Sequence, residues 1–465
     1  MHFTVKNCLI NVTNGYITTD VQIIDGKIAA IDSNLPIIGE VINGENKLLL
    51  PGFFNAHTHS SEMWFRASIP PLPLELWLAS LYDSPPINVE QVYLTALGTA
   101  VETVLSGGTS VVDHLILLPG QELETIAAAV RAYQEVGIRA FIAPLIQDEP
   151  FTYCFPNGKS QLEDTPFHAT AQDILKMMET AIQRFHDPAN GMNILLGPTG
   201  IQLCTDDLFI GCLELSDRYN LCLHAHLLET KAQEKLAQEK YGCTAVEHLQ
   251  KIGFLTHKTS LAHCVWLTDN DIKILAETQS TVVHNPLSNL RLGSGIAPVL
   301  KYMQAGVNVS FGCDGSCSND SQNLLEAIKI GAILHNITDQ DYQTWITPHK
   351  SVEMASLGGA KGLKVDDKLG SLTVGKIADL VLYDLTDLSL LPRTDPIGLL
   401  ILGRPDHAVC NAWVNGKKIV ANGEITTINV DHLKQKLFNL SNWQMRQKSP
   451  TFMKLEPHYR QVTGL

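Results

Sequence analysis

A chain of 465 residues with 45% hydrophobic and 18% charged content can bury a large core, and it holds no run near the ~18–20 unbroken apolar residues that cross a bilayer. Its 34 Lys and Arg against 48 Asp and Glu, a formal charge of −14 without any basic run, exclude a phosphate backbone or an anionic membrane as partner. Ten cysteines without a CxxC pair, and a start (MHFTVKNCLINVTNG) lacking the basic flank and apolar core of a signal peptide, predict reduced thiols and a cytoplasmic location.

Residues 3–50 read as short β runs, FTVKNCLIN, DVQIIDGKIAAID and KLLL, with NG and DG steps as hairpin signals. After Gly52 short apolar strands alternate with helical text. PGFFNAHTH is followed by GTSVVDHLI at 108, IRAFIAPL at 138, MNILLGP at 192, LCLHAHLLE at 221, TSLAHCVWL at 259, STVVHNPLS at 280 and VNVSFGCDG at 307. Among the intervening pieces, QELETIAAAVRAYQEVG has apolar positions at helical spacing and stops at a glycine. Eight such repeats predict an α/β protein whose residues 52–370 form a (β/α)8 TIM barrel, a unit of ~250 residues or more. β text returns in GSLTVGKIADLVLYD and HAVCNAWVNGKKIVANGEI, so residues 1–51 and 371–425 are expected to pair into one small β-sandwich. Residues 426–465, with VDHLKQKLFNLSNWQMRQ, read as a helical tail without chemical signal.

Barrel enzymes carry their chemistry at the C-terminal ends of the strands. His57 and His59 end the first strand here, His226 the fifth with Glu229 three residues on, His263 lies in the sixth, and Asp314 ends the eighth. Strand positions i and i+2 point to one side, so His57 and His59 can share one ion. Imidazoles with a carboxylate suit a borderline divalent ion, Zn²⁺ or Fe²⁺. His224, His114 and His284 read as packing groups or supports for ligands, His168, His186 and His349 as solvated, and Cys313 and Cys317 as core thiols.

PGFFNAHTHS, HAHLLET, LAHCVWL, HNPLSNLRLGSGIAPV, GCDGSCSND and GKIADLVLYD, in this order over nearly the whole chain, resemble the amidohydrolase superfamily. The likeness is to the branch of S-adenosylhomocysteine and methylthioadenosine deaminases, guanine and cytosine deaminases, and triazine hydrolases. It implies a metal held by His57, His59, His226 and Asp314, and one ion and not two, because the fourth strand lacks the lysine of the binuclear branches; Zn²⁺ is expected before Fe²⁺. It also implies Glu229 and His263 as proton-transfer residues: Asp314 and His263 would take the proton of the attacking water, and Glu229 would protonate a ring nitrogen. Related enzymes are often dimers or larger, so a homo-oligomer is the expectation from resemblance.

The substrate is less legible. The adenosine-type members usually have a histidine where this chain has Thr199, in GPTGIQLCTDD. The first βα loop, SSEMWFRASIPPLPLELWLASLYDSPP, reads as a lid whose aromatics Trp64, Phe65 and Trp77 stack on a flat ring, with Gln202 as an amide contact. The first expectation is hydrolytic deamination of a purine-, pyrimidine- or related N-heterocycle. Loss of chloride or an alkylamine from a triazine is the alternative, and a non-catalytic metal- or ligand-binding relative is the third reading.

Overall fold

The computed structural model describes residues 2–13, 15–156, 169–403, 405–442 and 449–464. Phe53–Thr58 buries all six of its residues and Thr259–His263 all five. Strands covered on both faces belong in parallel sheets flanked by helices, and this chain builds two. In chain order the strands are β1 (Phe53–Thr58), β2 (Gly108–Ile116), β3 (Arg139–Ile146), β4 (Met192–Ile194, resumed at Gly197–Pro198), β5 (Leu223–Leu227), β6 (Thr259–His263), β7 (Thr281–His284) and β8 (Asn308–Phe311). They pair in parallel as β4-β3-β2-β1 and as β5-β6-β7-β8. Backbone bonds also join the two sets. His224 N–H donates to Leu196 O (2.9 Å) and His226 N–H to Thr199 O (3.0 Å), and from beyond β8 Asp314 N–H donates to His57 O (2.9 Å). All eight strands expected from the alternation are present, in a mixed α/β fold with parallel sheets.

The first helices are α1 (Leu74–Tyr82), α2 (Val89–Leu105) and α3 (Glu122–Val136). Asn88 and Gln91 cap α2 reciprocally, each side chain accepting from the other's backbone N–H. α3 ends where Gly137 takes the left-handed φ of 82° that glycine adopts without a Cβ clash.

The terminal β segments share one nine-stranded sheet. Its junction is antiparallel, with Val381 opposite Leu50 and Tyr383 opposite Leu48. Phe3, Val5, Ile23, Leu49, Leu382 and Trp413 lie in one buried cluster under it, so neither terminal piece has a complete core alone. The tail is helical at Val430–Leu440 and Pro450–Thr463. Its second helix packs Phe452 and Leu455 against Leu76 and Ala79 of α1, and Thr451 donates backbone and hydroxyl hydrogens to Asp83 (2.9 and 2.7 Å). Among the described residues no helix is long and apolar enough to cross a membrane.

Candidate active site

The ends of β1, β5, β6 and β8 bring His57, His59, His226, His263 and Asp314 together. His57 Nε2 lies 3.3 Å and His59 Nε2 3.5 Å from Asp314 Oδ1, and His59 Nε2 lies 3.2 Å from His226 Nε2. One potential ligand atom each from His57, His59 and Asp314 fall within 4.8 Å of one another, as do those of His57, His114 and His226. Four residues at this rim that are not glycine have left-handed backbones: Leu228 (φ 44°), His263 (φ 74°), Cys264 (φ 50°) and Asp314 (φ 62°). Such conformations cost ~1–3 kcal/mol each, a cost borne where a side chain must leave the ordinary strand direction.

Hydrogen bonds fix where the imidazole protons sit. His59 Nδ1 donates to His114 O (2.6 Å) and His226 Nδ1 to Thr199 O (2.7 Å), since a carbonyl only accepts. Ser260 Oγ donates to Leu223 O (3.2 Å) and accepts from His224 Nδ1 (2.7 Å), so His224 Nε2 is bare and accepts from His57 Nδ1 (2.8 Å). In neutral imidazoles each arrangement leaves Nε2 without a proton. Burial holds His57 well below its ordinary value, and burial followed by the fields of His59 and His263 brings His226 to about 3. Burial opposes ionisation of Asp314, but His57 first, then His263 and His59, hold its carboxyl well below the usual range. The bare Nε2 atoms of His57 and His59 therefore face Asp314 Oδ1, and the bare Nε2 of His226 faces that of His59. His57 Nε2 is buried without a hydrogen-bond partner, and the 3.2 Å approach of two lone pairs is repulsive without a cation between them. This donor set fits a divalent metal, and the carbonyl and imidazole supports are those that orient metal-binding histidines.

Beside this cluster stands an imidazole–carboxyl pair. His263 Nε2 is 3.5 Å from Glu229 Oε2 and 3.8 Å from Asp314 Oδ2. Asn289 Oδ1 accepts from His263 Nδ1 (2.9 Å), so the nitrogen facing both carboxyls is Nε2. Ser294 donates to Glu229 Oε1 (3.0 Å), and Gln233 Oε1 accepts from Glu229 N–H (2.8 Å). Burial raises the Glu229 carboxyl, only partly offset by His263.

A cavity of about 330 Å³ opens onto these groups, the size of a small-molecule site. Gln202, Glu229, His263, Phe65 and Trp77 line it; Trp64 does not. Of the three aromatics expected to face a substrate ring, Phe65 and Trp77 line the cavity and Trp64 lies outside its lining. His224 supports His57, and the carbonyl of His114 supports His59 while its Nε2 donates to Gly197 O (3.0 Å). His284 lies 3.3 Å from His335 and outside the candidate metal groups. Cys313 and Cys317 are buried thiols outside those groups. His186 is half-buried and accepts from Ile194 N–H (3.1 Å), His349 is 42% exposed, and His168 lies outside the described residues.

Two acids were not singled out by sequence. Glu62, 4% exposed and lining the cavity, sits in the first turn after β1, and burial raises its carboxyl to about 7. Its only signal was a place three residues after His59. Glu75, the one acid of the apolar helix α1, is 2% exposed, hydrogen-bonds Thr230 beside Glu229, and is raised by burial to about 7. A lone charge in apolar helical text was its signal.

A model of the amidohydrolase family matches residues 48–425. The chain belongs to this family. It is 33% identical over 397 residues to a 5-methylthioadenosine/S-adenosylhomocysteine deaminase of Caldanaerobacter subterraneus, covering 84% of this chain and 86% of that protein. A 5'-deoxyadenosine deaminase of Methanocaldococcus jannaschii is 33% identical over 403 residues, with 85% and 89% covered. Among solved structures, an atrazine chlorohydrolase of Arthrobacter aurescens complexed with zinc superposes with a TM-score of 0.86 at 25% identity, covering 94% of this chain and 99% of that one. The amidohydrolase match spans the strand ends that carry all the groups described above.

Proposed function

We propose that this amidohydrolase is a metal-dependent hydrolytic deaminase of an amino-substituted N-heterocycle, with His57, His59, His226 and Asp314 as metal ligands. The observation supporting this reading is the clustering of three proton-free Nε2 atoms and the Asp314 carboxylate, with His57 and His59 3.3 and 3.5 Å from Asp314 Oδ1 and His226 3.2 Å from His59, beside His263 Nε2, which lies 3.8 Å from Asp314 Oδ2 and 3.5 Å from Glu229 Oε2. Zinc is the favoured ion, on the donor set and on the zinc complex of the similar chlorohydrolase. In this reading the eight strands close as a (β/α)8 barrel over 52–370, residues 1–51 and 371–425 form a β-sandwich, residues 426–465 are a tail, and the enzyme is cytoplasmic.

A divalent ion in such a site lowers the pKa of a bound water toward ~7 and so supplies a nucleophile at neutral pH. Asp314 accepts the water proton on Oδ2 and can pass it to the bare Nε2 of His263, 3.8 Å away. Glu229, its carboxyl raised by burial, is the group placed to deliver a proton to the ring nitrogen beside the attacked carbon. The Ser294 bond to Oε1 leaves Oε2 for that transfer. Proton return through His263 to the exocyclic amine lets ammonia leave. Trp77, Phe65 and Gln202 are the ring contacts from the cavity wall.

The likeness to a chlorohydrolase supports a second reading, hydrolytic loss of chloride or an alkylamine from a triazine. The intact set of ligands and proton carriers argues against a non-catalytic relative. Ammonia and chloride release should be measured with metal-loaded protein over aminopurines, aminopyrimidines, aminotriazines and chlorotriazines. Ammonia release that depends on metal is the expected result; chloride release alone would move the assignment to the second reading, and silence with one metal bound would overturn both.

A further inference from the structure

The cavity has two kinds of wall. The strand ends contribute polar groups, whereas α1 with the turn behind it contributes Leu78, Leu81 and Pro86 beside the rings of Trp77 and Tyr82, and the end of β2 with the loop after it contributes Ile116, Leu117 and Pro119. Among the described lining residues the carboxyls are Glu62, Glu229 and Asp314, and none comes from those two segments. The hydroxyl of Ser84, in the turn behind α1, is committed to Ser80 O (3.0 Å). Trp77 and Tyr82 bring one indole N–H and one phenol to this wall, but among the described residues neither segment offers a carboxylate to accept from the vicinal hydroxyls of a ribose or a charged group to pair with a charged side arm.

We infer that the substrate is an N-heterocycle bearing an uncharged apolar substituent, alkyl or aryl, and not a nucleoside. The reacting ring lies at the polar strand ends, and its substituent runs between α1 and the loop after β2. This reading rests on the deaminase assignment, and it departs from the nucleoside specificity stated in the names of the sequence relatives. The walls fit it: burial of each methylene between aliphatic side chains strengthens binding about fourfold, taking ~0.8 kcal/mol per methylene. A polar group placed there without a partner is disfavoured by about 10²-fold.

The test is a ladder of 9-alkyladenines, methyl to butyl, with 9-benzyladenine, adenosine and 5'-deoxyadenosine, and the same alkyl ladder on 2-amino-s-triazine. Turnover is read as ammonia, and binding by calorimetry on metal-loaded protein with the corresponding 9-alkylpurines, which lack the leaving amine. The expected result is a rise of about fourfold per methylene until the cavity fills, and adenosine about 10²-fold below 9-propyladenine in kcat/KM. A flat ladder, a nucleoside that equals or exceeds the alkylated rings, or no binding in either ring series overturns the inference. A rising ladder in calorimetry without ammonia in any arm sustains it and rejects the deaminase assignment instead.

Discussion

Replacing His224 with leucine tests the proton arrangement behind the metal site. The chain runs from Ser260 Oγ through His224 to His57 Nδ1 over contacts of 2.7 and 2.8 Å, with His57 and His224 fully buried and Ser260 3% exposed. Leucine removes the acceptor for His57 Nδ1–H. Either that donor stays buried and unpaired, at ~1–3 kcal/mol, or His57 moves its proton to Nε2 and gives up its ligand lone pair. Both outcomes weaken the metal, by the 10–100-fold typical of losing a ligand's support, which is ~1.4–2.7 kcal/mol. His224→Gln, whose amide oxygen can accept from Nδ1, should recover most of the loss. Zinc affinity is measured by competition with a chelating dye, with far-UV circular dichroism to confirm folding. Wild-type affinity in a folded His224→Leu protein, or equal affinities for the Leu and Gln variants, would refute the tautomer assignment.

Glu229→Gln keeps the shape but removes the proposed proton donor, so turnover should fall ~10²–10⁴-fold while metal content by elemental analysis stays at the wild-type value. Glu75 titrates at about 7 in the fold against 4.5 in its ordinary state, so between those values the native chain holds a proton that the unfolded chain has released. Its contribution to stability is therefore present below pH 4.5 and lost as pH rises to about 7, by ~3 kcal/mol; urea titrations should show Glu75→Gln gaining on wild type across that window and level above it. A Cβ at Gly312 would stand 2.4 Å from Asn285 Oδ1 and 2.8 Å from His57 Cβ. Gly312→Ala should cost ~1–3 kcal/mol in thermal unfolding and weaken zinc in a dye titration by displacing His57.

Local text determined much of this protein. Apolar runs of strand length alternating with helical spacing and ended by turn residues located all eight parallel strands, because these signals act over a few residues. The same alternation put His57, His59, His226, His263 and Asp314 at strand ends, and the fold brings them together there. What remained to the tertiary structure were relations across long separations in the chain. Ser260 reaches His57 through His224, and Glu75 meets Thr230 beside Glu229; neither pairing has a local signature. Side-chain direction in the first βα loop was equally hidden, since the turn that places Phe65 in the cavity leaves Trp64 out of its lining. The tail read as chemically silent, yet its last helix backs the face of α1 opposite the cavity wall, a contact between residues about 375 apart. Hydrophobic periodicity records which face of an element is buried, but not what buries it.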